Sequence, residues 1–279
     1  MNILVKSNKI AKSIYKTPPL SSREIEVIAA LERDRRAVLT LDELAARFGR
    51  PAAYEIVRSL VAKGVLHRLD RGIYRAQPVR SLGRRHAISA PVAAAHVLRA
   101  RPYYLGGWWA WSFHGLTQQA HASRIDAFVS RWRPARRLEN ARLFFHHVDA
   151  KKLEYGVVRI DIEGTEVHVS DLERTLLDAL DHPSLLGSLS DALRRVAQAL
   201  PKADVRRIVG HAARGSRTST CQRLAVLLER RGASPRMLSP LLSRTRETAS
   251  VLSLWPDARR TGPVHPKWRV VENDAVAGA

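Results

Sequence analysis

PAAYEIVRSLVAKGVLHRLDRGIYR, residues 51–75, decides the fold of this chain. In its first half Ala53, Ile56, Val57, Leu60 and Val61 fall within one arc of a 3.6-residue repeat, the mark of a helix with one buried stripe. Pro51 suits the first turn of that helix, and Gly64 stands just past its end. Residues 64–75 then read as two short strands, with Asp70, Arg71 and Gly72 as a three-residue connection in which Gly72 takes the left-handed backbone. Turning the apolar stripe inward leaves Ala52, Glu55, Arg58 and Ser59 on or beside the opposite arc. The hairpin adds Arg68, Arg71 and Arg75 to His67.

Upstream, SSREIEVIAALERD starts a helix: Ser21 precedes Glu24 by three residues, a capping-box spacing, and Ile25, Ile28, Ala29 and Leu31 supply its apolar face. AVLT, residues 37–40, is a short strand. Thr40 and Glu43 repeat the capping spacing ahead of LDELAARF, a helix that packs Leu41, Leu44 and Phe48 and stops at Gly49. Helix, short strand, helix, tight turn, helix and hairpin is the order of a winged helix-turn-helix, expected over residues 1–80 with a polar, lysine-rich arm at 1–18.

A winged helix places its third helix in the major groove, so Arg50, Ala52, Tyr54, Glu55, Arg58 and Ser59 are expected to meet duplex DNA. Arginine pairs bidentately with guanine, glutamate accepts from cytosine, and Ala52 suits a thymine methyl. Arg68, Arg71 and Arg75 on the wing would follow phosphates or enter the minor groove. Glu55 and Tyr54 equally suit a solvated carboxylate and a packing ring, and wing arginines also suit an ordinary charged surface.

The bulk charge agrees. Of 279 residues, 47 are Lys or Arg and 26 Asp or Glu, a net charge of +21 that favours a polyanionic partner. Residues 1–80 carry +8 of this and the remainder +13. SRWRPARRLE, with Arg131, Arg133, Arg136 and Arg137 around Trp132, is a candidate second basic patch, a solvated face being the alternative. No apolar run approaches the roughly 20 residues a membrane span needs, and MNILVKSNKI lacks the apolar stretch of a secretory signal, so the cytoplasm is expected. The single cysteine, Cys221, sits at helical spacing with Leu224, Ala225 and Leu228 as a buried thiol.

Residues 81–279 read as a larger mixed α+β domain ending in helices. After an alanine-rich helix near 91–100 come the strand-like runs IDAFVS, RLFFHHV, VVRIDIEG and EVHVS, then SDLERTLLDALDHP and four further helical segments. A last strand is expected at KWRVVEN, with a disordered tip. No phosphate-loop, dinucleotide or zinc-protease motif is present, and no cofactor, metal site or catalytic residue is expected. His146, His147 and His168 lie in alternating strand patterns without converging ligands. Asp126, Asp161 and Glu163 raise a metal-dependent nuclease as the alternative, without the nearby lysine such sites commonly use. The aromatic run at 103–115, with Trp108, Trp109, Trp111 and Phe113, reads as core; a base-stacking platform or a small-molecule pocket of a ligand-responsive transcription factor are its other readings.

GVLHRLDRGIYR, YYLGGWWAWSFHGLTQQ and SDLERTLLDALDHP, in this order, resemble the AbiEi-type antitoxins of type IV toxin-antitoxin and abortive-infection systems, over roughly residues 20–200. The resemblance implies a winged helix that represses its own operon at an operator, joined to an α+β domain carrying antitoxin activity. It also implies a functional partner, a nucleotidyltransferase-like toxin often countered without a stable complex; the poor enzyme motifs lead to the expectation of no enzyme activity. By position the DNA-reading role falls on residues 50–59 and the wing around Arg71 and Gly72. The helix at 108–114 is a structural signature, and Asp171, Glu173, Arg174 and Asp178 match the pattern; Arg174 paired with a carboxylate reads as scaffold and not as a catalytic site. Trp108, Trp109 and Trp111 are bulkier than that pattern.

Overall fold

A computed structural model describes residues 19–34, 36–77, 88–119 and 123–273. The arm at 1–18, the division at residues 80/81 and the tip at 274–279 lie outside them. The chain forms two compact units, residues 1–99 with 161–165, and residues 100–160 with 166–279.

The first unit contains α1 (Ser22–Arg33), β1 (Val38–Thr40), α2 (Leu41–Phe48), α3 (Arg50–Ala62), β2 (Leu66–Asp70), β3 (Ile73–Ala76) and α4 (Ala90–Leu98). Both capping boxes form: Ser21 with Glu24, and Thr40 with Glu43. Gly49, at φ 79°, is the whole turn between α2 and α3, because the helix resumes at Arg50 and a side chain at Gly49 would strain that backbone. The three strands pair antiparallel in the order β1-β3-β2, which closes the wing onto the helices. Val27, Leu31, Leu44, Ile56, Val57, Leu60 and Leu66 make the core. The wing turn differs from expectation. Asp70 faces Ile73 directly, so Arg71 and Gly72 form a two-residue connection, and the surplus residue is taken up as a bulge between Arg68 and Asp70.

A buried ion pair ties the start of α1 to the end of α3. Lys63 Nζ donates to both Glu24 oxygens at 2.9 and 2.7 Å, with both side chains almost wholly buried. Burial opposes the Glu24 charge, but Lys63, Ser59 and Ser21 outweigh it and hold its pKa at about 2. The folded-state value lies below the ordinary 4.5, so this stabilisation is present above pH 4.5 and lost as the pH falls towards 2. Acid titration of unfolding should show that loss, and Lys63→Met should remove most of the dependence.

In the second unit a six-stranded mixed sheet runs β6-β7-β5-β4-β9-β8, from β4 (Tyr103–Gly106), β5 (Arg124–Val129), β6 (Arg136–Arg137), β7 (Arg142–His147), β8 (Val157–Ile162) and β9 (Thr165–Ser170). Its helices are α5 (Gly107–Phe113), α6 (Leu172–Asp181), α7 (Leu189–Ala199), α8 (Val205–Gly215), α9 (Thr218–Glu229) and α10 (Pro235–Thr245). A small sheet of β10 (Leu252–Ser253), β12 (Val270–Val271) and β11 (Val264–His265) follows, with β12 inside the expected KWRVVEN strand. The four expected strand runs each appear within a residue or so. β4 was not among them, although it lies between β5 and β9. It passes directly into α5 through Gly106 and Gly107, where a Cβ would meet Phe128 and Asp126 at 2.6 Å, so the chain can turn there only without side chains.

The aromatic run divides. Tyr104 and Trp111 are core, packed with Phe128 and Leu176, and Tyr104 stacks on Phe128 at 4.7 Å. Trp109 and Phe113 stack at 5.6 Å towards the surface, with Phe113 exposed. Cys221 is fully buried, its thiol facing Ala212 O at 3.6 Å, and burial pushes its pKa up to about 11, so it is a packing residue and not a nucleophile.

Candidate nucleic-acid interface

α3 buries Ala53, Ile56, Val57 and Leu60 against the unit's core. What remains outward is a line at i, i+4 and i+8: Arg50, Tyr54 and Arg58 are exposed, and Glu55 lies beside them. Tyr54 is 56% exposed, so its ring is not the packing residue that the sequence left open. Arg50 sits 3.8 Å from Asp42 in an exposed pair of little energetic weight, and Arg58 has no acidic partner among the described residues. Ala52 is half-buried. Ser59 is half-buried too and hydrogen-bonds Glu24, so it helps to anchor α3 on α1.

On the wing, Arg68 and Arg71 are exposed. Arg68 Nε donates to Asp70 O at 3.3 Å, and the Arg71 amide donates to Asp70 Oδ1 at 2.8 Å, so the turn is stiffened from within while both guanidinium groups stay outside. Arg75 is a correction. It is fully buried, faces Val38 on β1 and His67 on β2, and donates to Gln77 Oε1 at 3.2 Å. Alternation along β3 puts Arg75 on the same side as buried Ile73, so it cannot lie along phosphates.

In the second unit Arg131 and Arg137 are exposed and Arg133 and Arg136 half-buried, while Trp132 is 72% exposed. Arg133 and Arg136 each interact with other groups of the protein. Sequence reasoning missed Arg124 and Arg142 here, because only the register of β5 on β7 places them beside Arg137.

The residues that raised nuclease chemistry are each occupied. Asp126 is fully buried beneath Arg124, at 2.8 to 3.1 Å, and His146, at 2.7 Å. Burial opposes its charge, but His146 and Arg124 prevail and hold its carboxyl below the usual range. Asp161 Oδ1 accepts the Gly164 amide in the tight β8–β9 turn, and Glu163 Oε2 accepts the Ser89 amide at 3.3 Å. His168 stacks on Tyr103 and faces Glu166 at 3.0 Å. Among the described residues, no three His, Cys, Asp or Glu side chains gather as a metal site.

Helix order, a one-residue turn between α2 and α3, and a three-stranded wing define the first unit as a winged helix-turn-helix. Residues 26–77 match the family described as "Transcriptional regulator, AbiEi antitoxin". Among solved structures, the crystal structure of the RV2827C protein from Mycobacterium tuberculosis is similar over 91% of this chain and 92% of that chain, with a TM-score of 0.61 and 20% identity. At that identity the likeness establishes a shared fold. No curated protein sequence matches the chain.

Proposed function

We propose that the chain is a DNA-binding antitoxin that represses its own operon, with α3 in the major groove of an operator and the wing on the flanking backbone. The observation that carries this is the outward line of Arg50, Tyr54 and Arg58 on α3, with Arg68 and Arg71 exposed on the adjacent ribbon. Guanidinium groups left outside on both elements match the two jobs of such a domain, reading base edges and holding phosphates. The family match supports the regulator and antitoxin roles. In this reading Arg50, Ala52, Tyr54, Glu55 and Arg58 approach the bases, and Arg68 and Arg71 the backbone.

The functional partner is a nucleotidyltransferase-like toxin encoded beside the chain, countered without a stable complex, and the chain itself performs no catalysis. It acts in the cytoplasm; among the described residues no helix is long and apolar enough to cross a membrane. Two measurements test this. At fixed salt, the full chain should bind a duplex from upstream of its own reading frame more tightly than a scrambled duplex of equal length. Co-expression with the adjacent reading frame should relieve the growth arrest that frame causes. Equal affinity for both duplexes refutes the operator, and unrelieved arrest refutes the antitoxin.

A further inference from the structure

Three neighbouring strands of the second unit bring arginines into one transverse row. β5 and β7 run parallel with Arg124 opposite Arg142, and β6 runs antiparallel to β7 with Arg137 opposite the same Arg142. Register partners project to one face of a sheet, with their Cβ atoms about 5 Å apart. The guanidinium groups of Arg124 and Arg142 show this directly, lying 4.5 and 5.3 Å from the centre of the Phe144 ring. Arg136 faces fully buried Leu143 instead, so it belongs to the other side.

Like charges directly opposite each other weaken a sheet. At Arg124 the cost is offset, because buried Asp126 accepts from its Nε and its Nη2. At Arg142 and Arg137 it is not: both are exposed, and neither meets a carboxylate among the described residues. The connection from β5 to β6 adds exposed Arg131 and then Trp132, whose 72% exposure is the greatest of the large apolar side chains described. An indole left so far in water, between arginines and with no ring contact among the described residues, is poor packing and a good stacking surface.

We propose that this edge of the sheet binds single-stranded nucleic acid, with a base stacked on Trp132 and the neighbouring phosphates held by Arg131, Arg137 and Arg142. An unpaired base offers a free face to the ring, whereas bases within a duplex are already covered by their neighbours. Interleaved guanidinium and aromatic groups on an open surface are what sequence-tolerant strand binding requires. The inference stands apart from operator binding, because none of these residues belongs to the winged helix.

The test is fluorescence anisotropy of the full chain with a labelled oligouridine and a labelled oligothymidine, each about twelve nucleotides, inside the ~4–16 nucleotide range of single-strand sites. Trp132→Ala should weaken strand binding about tenfold, the usual effect of removing a stacked ring. Arg137→Ala with Arg142→Ala should weaken it further and lower the salt slope by about 0.7 for each phosphate no longer neutralised. Neither variant should change affinity for the upstream duplex, and unchanged melting of Trp132→Ala will show that its fold is intact. Preference for one oligomer identifies the strand as RNA or DNA. Wild-type affinity in Trp132→Ala, no strand binding by the wild type, or strand binding abolished by Arg58→Ala would each overturn the proposal.

Discussion

Arg174→Ala is expected to destabilise the second unit by about 3–5 kcal/mol, the range for stripping one partner from a buried ion pair. Arg174 is 3% exposed, yet all of its charged end is occupied. Nε donates to Asp178 Oδ1 at 2.8 Å, Nη2 to the Tyr104 hydroxyl at 2.8 Å and Nη1 to Lys152 O at 3.1 Å. The guanidinium also lies 5.0 Å from the Tyr104 ring centre and 4.9 Å from that of Tyr155. Burial pushes the Asp178 carboxyl above the usual range, against the pull of Arg174, while Arg174 itself is held firmly cationic by Asp178. Removing the cation leaves Asp178 buried with only its hydrogen bond from Tyr104 to offset its desolvation.

Chemical denaturation followed by the tryptophan signal should show the loss as an earlier transition. The companion variant Arg174→Met with Asp178→Leu should recover much of it, since removing both charges also removes the stranded one. A loss below about 1 kcal/mol in Arg174→Ala would mean that Arg174, through its bond to Tyr104 on β4, does not hold α6 to the sheet. Recovery in the double variant marks Arg174 as scaffold, the role expected of an arginine paired with a carboxylate at this position.

The winged helix was legible because every one of its elements carries local punctuation. Ser21 with Glu24 and Thr40 with Glu43 mark helix starts through hydrogen bonds that reach only a few residues, Pro51 and Gly64 mark the ends of α3 through backbone preference, and the helices begin and end there as expected. β4 was not legible, since four residues buried throughout show no alternation and no turn separates them from α5. The placement of Arg75 was within reach: a period of two from Ile73 sends it inward, and the charge of the hairpin hid that. The bulge before Asp70 depends on how β2 and β3 settle on one another, which composition does not encode.

The second basic surface shows the opposite limit. Its loop, from Arg131 to Arg137, is contiguous and visible in the sequence. Arg124 and Arg142 join it only through the parallel pairing of β5 with β7, and pairing between parallel strands has no local signal comparable to a hairpin turn. Side chains that look like isolated strand termini in the sequence thus become one row in the sheet.

The other large effect is expected at the winged helix. Arg58→Ala should weaken binding to the upstream duplex by about 1–3 kcal/mol and flatten its discrimination among base changes at particular positions. Arg71→Ala should weaken every duplex alike and reduce the salt slope by about one. The difference follows from placement. Arg58 stands mid-helix on the line from Arg50 through Tyr54, where a groove-bound helix meets base edges, whereas Arg71 sits at the tip of the ribbon, the part of such a domain that holds flanking phosphates. Arg75→Ala provides the contrast: its side chain is wholly buried, so it should lower the melting temperature of the unit and leave the salt slope of the remaining folded protein unchanged. A salt-controlled titration in which Arg58→Ala and Arg71→Ala both match the wild type would remove α3 and the wing from the interface. If instead Arg71→Ala alters base preference and Arg58→Ala only the salt slope, the two elements have exchanged roles and the domain docks through its ribbon.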